Sequence, residues 1–360
     1  MATLYPLRFT EILRDYEFGN RWIAESFQKD GLPERHRLGE TWEVCDRPNE
    51  SSVVRNGPLA GSTLHRLIDD FGESLLGSDV MRRCGTRFPL LIKLLDASNP
   101  LGEQVHPDDD QARRLGREDP GKTEAWYMLK ARPGATVHCG VRDGVTLDQV
   151  REALVDGTVR DLMEEQPARP ADAFLLHAGT MHCSRGGILF YEIMQNSDIT
   201  IGLRGREPPG SEARKAWAAE ALGSVRIVSG KKCRIPSVTI DRGYGRVTFV
   251  FACRYFVLER LDLASAVNLT CGGLRFHVLT QIDGESTVEG GGRTERLGPG
   301  QSCLLPASLQ DVRVTPKGPC SMLKAYFPDL ARDVIQPLRE AGIADQRIFG
   351  LGGEITFAGP

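Results

Sequence analysis

After about residue 223 the sequence breaks into short strand-like runs at close spacing: residues 237–240, 246–251, 255–260, 276–281, 302–305 and 311–315. Turn signals divide them, among them Asp283-Gly284, Gly290-Gly291-Gly292 and Gly298-Pro299-Gly300. Short strands separated by glycine turns have to close into a sandwich or a barrel. Composition agrees: 39 glycines and 21 prolines in 360 residues exceed the usual share of about 12%. The first half carries strand candidates of the same texture at 40–44, 87–95 (RFPLLIKLL), 125–129, 173–177 and 188–194 (ILFYEIM). Two β-rich halves read as a barrel duplication, all-β dominated. The expected partition is residues 1–222, 223–330 and a C-terminal extension over 331–360.

Helical signals are few and local. Thr146 and Gln149 form a capping-box pattern, Val150 and Leu154 follow at helical spacing, and Gly157 stops the helix. A second short helix is expected over 159–165, making a helical insertion near 146–166. Further helices are expected at 62–75, at 211–222 and from Leu330 to about Ala341.

Charge and cysteine usage exclude several classes. Forty-five basic and 48 acidic residues give a formal charge of −3, and no run of Lys and Arg offers the clustered field that nucleic acid needs. One or two cations still suffice for a phosphate on a small molecule. The nine cysteines are scattered, with no C-x-x-C pair, which suits a reducing cytoplasm. The N-terminus lacks the pattern of a secretory signal, and no apolar run is long enough for a membrane span.

One group of residues has metal-ligand character. Gln104 and His106 lie two apart, so an extended backbone puts them on one face. Glu124 opens a strand candidate, and His182 follows in HAGTMHC. Two imidazoles, a carboxylate and an amide oxygen suit a catalytic divalent metal such as zinc. Lys93, inside an apolar strand, needs either an ion-pair partner or a cavity. Asp108 and Asp109 are expected to cap a helix beginning near Asp110. His138 has a weak claim to the pocket and Trp42 a place in a cleft or the core. His36 and His65 read as surface residues, and the second half, with His277 alone, reads as metal-free.

The wording around these residues is specific. His177-Ala-Gly-Thr-Met-His182 resembles the second cupin motif with His in place of Pro. Gly57-Pro-Leu-Ala-Gly61, residues 88–96 (FPLLIKLLD), Gln104-Val-His-Pro-Asp-Asp109, Gly121-Lys-Thr-Glu-Ala-Trp-Tyr127, Ala178-Gly-Thr-Met-His182 and Gln195-Asn-Ser-Asp198 resemble the type I mannose-6-phosphate isomerases, in that family's order. The resemblance implies two cupin (double-stranded β-helix) barrels and one zinc, or another divalent ion, held by Gln104, His106, Glu124 and His182. It implies Lys122 at the sugar site and a proton moved between C1 and C2 of an open-chain sugar phosphate through a cis-enediol. Ungapped alignment puts Gly202 where the family carries an active-site arginine. Arg204, two residues on, is expected to replace it, with Lys122 as the other catalytic cation and Lys93 in reach of substrate. The leading expectation is interconversion of mannose 6-phosphate and fructose 6-phosphate. A related isomerase on another sugar, or a sugar-binding cupin without turnover, are the alternatives. Neither nucleic acid nor membrane is expected as a partner, and oligomeric state stays open.

Overall fold

The structure, a computed structural model, describes residues 3–27, 29 and 37–353. Every strand ladder among them is antiparallel. The first half pairs a six-stranded sheet with a five-stranded one. In spatial order the larger holds Ala173–Leu176, Glu124–Ala131, Ile188–Gln195, Leu90–Ala97, Leu38–Val44 and Ile12–Asn20. The smaller holds Met163–Pro167, Thr136–Val141, His182–Ser184, Leu101–Val105 and Ile201–Gly202. The second half repeats the plan with a six-stranded and a four-stranded sheet.

The apolar runs at 90–97 and 188–195 lack alternation because both faces of their sheet are covered. On one face Leu95, Trp126, Phe174 and Phe190 pack into the first half. On the other, Ile92, Leu94, Tyr191 and Ile193 join a core continuous with Phe249, Leu261, Leu279 and Leu323 of the second half. Each such side chain, fully buried, contributes roughly 1.5–3 kcal/mol. The N-terminal segment also crosses over: Leu7 and Leu304 exchange two backbone hydrogen bonds of 2.8 Å.

The local helix signals are realised. The helix Leu147–Asp156 carries the Thr146–Gln149 capping box and ends at Gly157 in the left-handed conformation. Asp108 caps Asp109–Arg114 with a capping box to Gln111, and Ser211 caps Glu212–Leu222. The helices 147–156 and 212–222 cover the outer face of the five-stranded sheet through Val150, Leu154, Ala218 and Ala221.

Some expectations need correction. The short helix expected over 159–165 is realised only as a 3-10 helix, Val159–Leu162, and Met163–Pro167 is an edge strand paired with Thr136–Val141. The helix expected over 62–75 starts after Thr63 and breaks at Gly72, which has φ 44°. The tail is helical from Leu330 as expected, a π-helix over Ala331–Ile335 running into the α-helix Gln336–Glu340, and a further helix, Asp345–Gly350, follows. Arg332 and Asp333 tie it to Asp79 and Arg275. His36 and residues 354–360 lie outside the described residues. No described helix is long and apolar enough to cross a membrane.

Candidate active site

The two sheets of the first half face each other across a polar cluster. Glu124 heads its strand, where it registers with Leu176 and Met194. His182 heads the short strand opposite and registers with Gln104. Residues directly across a ladder share a face, so Gln104 and His182 look the same way. His106 follows the end of the Leu101–Val105 strand. The Trp126 ring stands edge-on to His182 at 5.5 Å, which ties the two sheets together at this level.

The donor atoms converge without satisfying one another. Ligand atoms of His106, Glu124 and His182 lie within 4.8 Å of each other, and all three residues are buried. His182 Nε2 is 3.1 Å from Glu124 Oε1, and His106 Nε2 is 3.4 Å from Oε2. Both Nε2 atoms and both carboxylate oxygens are buried without a well-aligned hydrogen bond. Such orphaned atoms are costly unless something else binds them. Each imidazole is oriented from its other side: His106 Nδ1 donates to the Ile199 carbonyl at 2.8 Å, and His182 Nδ1 to that of Thr180 at 2.9 Å. That arrangement leaves each Nε2 lone pair pointing inward, as metal-binding histidines require. The set fits a divalent metal with nitrogen and oxygen ligands.

Electrostatics keeps the ligands in the binding state. Burial, then the Lys122 ammonium, push His106 down to about 3, so its ring stays neutral. Burial alone would lift the Glu124 carboxyl, but Lys122, His106 and His182 hold it well below the ordinary value. Lys122 Nζ sits 2.9 Å from Glu124 Oε2.

A row of residues crosses the larger sheet beside this cluster. Successive register pairs align Phe174, Trp126, Glu192, Lys93 and Trp42 on one face. Glu192 Oε1 accepts the Trp126 indole N–H at 2.8 Å. Lys93 Nζ lies 3.5 Å from Glu192 and 3.2 Å from Glu40, and 5.1 Å from the centre of the Trp42 ring. Burial, then the nearby Glu124 charge, lift the Glu192 carboxyl to about 7. Sequence reasoning missed Glu192, a single acid inside ILFYEIM; its one signal was a charge in an otherwise apolar strand. A cleft of about 620 Å³ opens nearby, lined by Trp42, Arg14, Arg47, Arg117 and Ile199, the last of which binds His106 through its carbonyl.

Other expected residues are placed elsewhere. Gly202 registers with Gln104, on the face of the cluster, and a Cβ there would meet nothing within 4 Å. Arg204 does not follow it inward. The strand ends at Gly202, Gly205 turns the chain with φ 60°, and the Arg204 side chain, 77% exposed, reaches Glu103 at 3.4 Å. His138 lies away from the cluster, 3.9 Å from Glu165 in a separate cleft. His277 is buried in the second half beside Cys271. His65 is at the surface, 3.3 Å from Asp46. His106, Glu124 and His182 form the one metal-type group of His, Cys, Asp or Glu among the described residues.

Comparison with known proteins agrees with this geometry. Residues 7–127 match the model for phosphomannose isomerase type I, catalytic domain, and residues 246–326 that for the mannose-6-phosphate isomerase cupin domain. The probable mannose-6-phosphate isomerase GmuF of Bacillus subtilis is 35% identical over 89% of this chain and 99% of its own length. The mannose-6-phosphate isomerase ManA of the same organism is 28% identical over 88% and 98%. A crystal structure of the mannose 6-phosphate isomerase from Bacillus subtilis superposes with a TM-score of 0.77 at 24% identity, covering 89% of this chain and 99% of that one; that likeness carries the cupin fold. With both family models in order and a relative matched along nearly its whole length, the chain belongs to the type I mannose-6-phosphate isomerases.

Proposed function

We propose that this chain interconverts mannose 6-phosphate and fructose 6-phosphate through a cis-enediol, with zinc held by His106, Glu124, His182 and Gln104. The observation that carries the reading is the convergence of the buried His106 and His182 Nε2 atoms on the Glu124 carboxylate, none of them in a well-aligned hydrogen bond, beside the Lys122 ammonium, in a chain matched along its length to enzymes of that name. Bound there, zinc supplies a Lewis acid for the negative charge that develops on a sugar oxygen when the neighbouring carbon loses its proton.

The chain's own residues do the rest. Lys122 binds and polarises the sugar oxygens as a cation. Glu192 carries the proton: it lies in the row beside the cluster, burial raises its carboxyl, and a raised carboxyl can both take and return a proton. Trp126 holds one oxygen of Glu192 and Lys93 stands near the other, so the acid keeps one orientation. Lys93 acts on substrate through that carboxyl. The reading places the reaction in the cytoplasm, in keeping with nine free thiols.

A second reading keeps the chemistry and changes the sugar phosphate. It is favoured by Gly202, which leaves open space where the family resemblance puts an arginine, while Arg204 turns outward. A coupled assay with mannose 6-phosphate, with bound metal quantified in the same sample, separates the two. Turnover lost to chelator and restored by zinc supports the first. Stoichiometric metal without turnover refutes it and sends the test to a panel of other sugar phosphates.

A further inference from the structure

Lys122 sits on a segment held unusually tightly. Lys122 N–H donates to the Pro107 carbonyl at 2.9 Å. Gly121 N–H donates to Asp109 Oδ1 at 2.9 Å, and Thr123 N–H to Gln195 Oε1 at 2.9 Å. Three consecutive amides are thereby tied down. Gly121 passes so close to the start of the Asp109–Arg114 helix that a Cβ would overlap the backbone of Asp108 and Asp109.

Asp109 is the hub of this clamp. Its Oδ1 also accepts from Gln195 Nε2 at 2.9 Å, and its Oδ2 accepts the Tyr255 hydroxyl at 2.9 Å. Tyr255 belongs to the second half. It projects from the turn between Gly245–Ala252 and Val257–Leu263, a turn closed by the Cys253 N–H on the Phe256 carbonyl at 2.9 Å. Asp109 thus has one oxygen on the loop of Lys122 and the other on the second half.

We propose that Tyr255 is a positioning residue for the isomerase reaction, acting through Asp109 to fix the 121–123 segment and so the Lys122 ammonium. The proposal rests on the assignment of Lys122 to substrate. It gives the second half a part in catalysis besides covering the sheet of the first. Misplacing a substrate-positioning group by about 1 Å can cost about 100-fold in rate.

Tyr255→Phe removes the hydroxyl and keeps the ring. Tyr326→Phe is the control, because the Tyr326 hydroxyl donates to Glu259 within the second half. Amide hydrogen exchange of the zinc-loaded, full-length protein reads the clamp directly. Tyr255→Phe is expected to speed exchange at residues 121–123 by about ten-fold or more, and Tyr326→Phe to leave it as it was. In kinetics, Tyr255→Phe is expected to lower kcat by roughly ten-fold or more. That loss should shrink to less than about two-fold in an Asp109→Asn background, since both changes break one link. Unchanged exchange at 121–123 overturns the proposal, as does the same kcat loss with and without Asp109. If the parent turns over no sugar phosphate, the functional reading fails, and the exchange experiment still decides whether Tyr255 holds this loop.

Discussion

Replacing Glu192 by glutamine is expected to raise stability at neutral pH and remove turnover, two effects that a structural acid would not combine. In the folded protein, burial and the Glu124 charge lift the Glu192 carboxyl from 4.5 to about 7. A lift of that size penalises the ionised form by about 3 kcal/mol. The sign follows from proton binding. Between those two values the folded chain holds a proton that the unfolded chain has released, so stability falls as pH rises through the window and is fully present below it. Glutamine does not titrate. Its side-chain oxygen can still accept from Trp126, and Lys93 keeps Glu40 at 3.2 Å. The stability of Glu192→Gln minus that of the parent is therefore expected to grow by about 3 kcal/mol from about pH 4.5 to about pH 8. Urea unfolding of chelator-treated protein at a series of pH values measures it. A difference that stays constant over that range refutes the raised carboxyl. In the metal-loaded enzyme, loss of the proton carrier is expected to lower kcat by roughly 10²- to 10⁴-fold with metal content intact. Parent-like turnover would remove Glu192 from the proton path.

His106→Ala and His182→Ala are each expected to lose most bound zinc, measured by atomic absorption after dialysis; stoichiometric metal in both would end the site assignment. Arg204→Ala is expected to change kcat/KM less than about two-fold, because its exposed guanidinium turns away from the cluster and exposed substitutions away from a site usually stay within about 0.5 kcal/mol; a hundred-fold loss would restore it to the active site. Gly202→Arg is expected to be tolerated within about 0.5 kcal/mol, since its Cβ enters open space, and to raise kcat/KM on mannose 6-phosphate; a fall in kcat/KM with unchanged folding would mean that this chain's pocket is built for the gap.

Much of the fold was legible wherever one segment carries its own signal. The capping box at Thr146 and the cap at Asp108 need only residues three apart, and both form. The strands at 90–97 and 188–195 announce themselves by length of apolar run. Where structure depends on a distant partner, the signal fades. Cys320–Tyr326 lies between Val257–Leu263 and His277–Asp283 in its sheet yet escapes notice, because Lys324 breaks its apolar pattern. That lysine is tolerated there by Glu259, 2.8 Å away on the neighbouring strand. Ile12–Asn20 is hidden differently: it is a mostly exposed edge strand with polar residues. Residues 159–165 look helical alone and become a 3-10 helix and a strand because Thr136–Val141 offers an edge to pair with.

The same division explains the site. His106, Glu124 and His182 stand at strand ends, where a short motif around each residue fixes its direction, so spacing and wording point to them together. Glu192 owes its raised carboxyl to Glu124 and its orientation to Trp126 and Lys93, each on another strand; nothing next to it in sequence carries that information. Arg204 shows the opposite failure, a local rule extended too far. Alternation would aim it with Gly202 toward the cluster, but alternation holds only while the backbone stays extended. Here the ladder stops at Gly202, Leu203 is buried against the outer helices, and the Arg204 carbonyl is bound by the Arg214 guanidinium. Arg214 is itself buried and donates to the Leu154 carbonyl at 2.7 Å. An arginine 10 residues downstream, on the Glu212–Leu222 helix, thus decides which way Arg204 faces, which no local rule around Gly202 could convey.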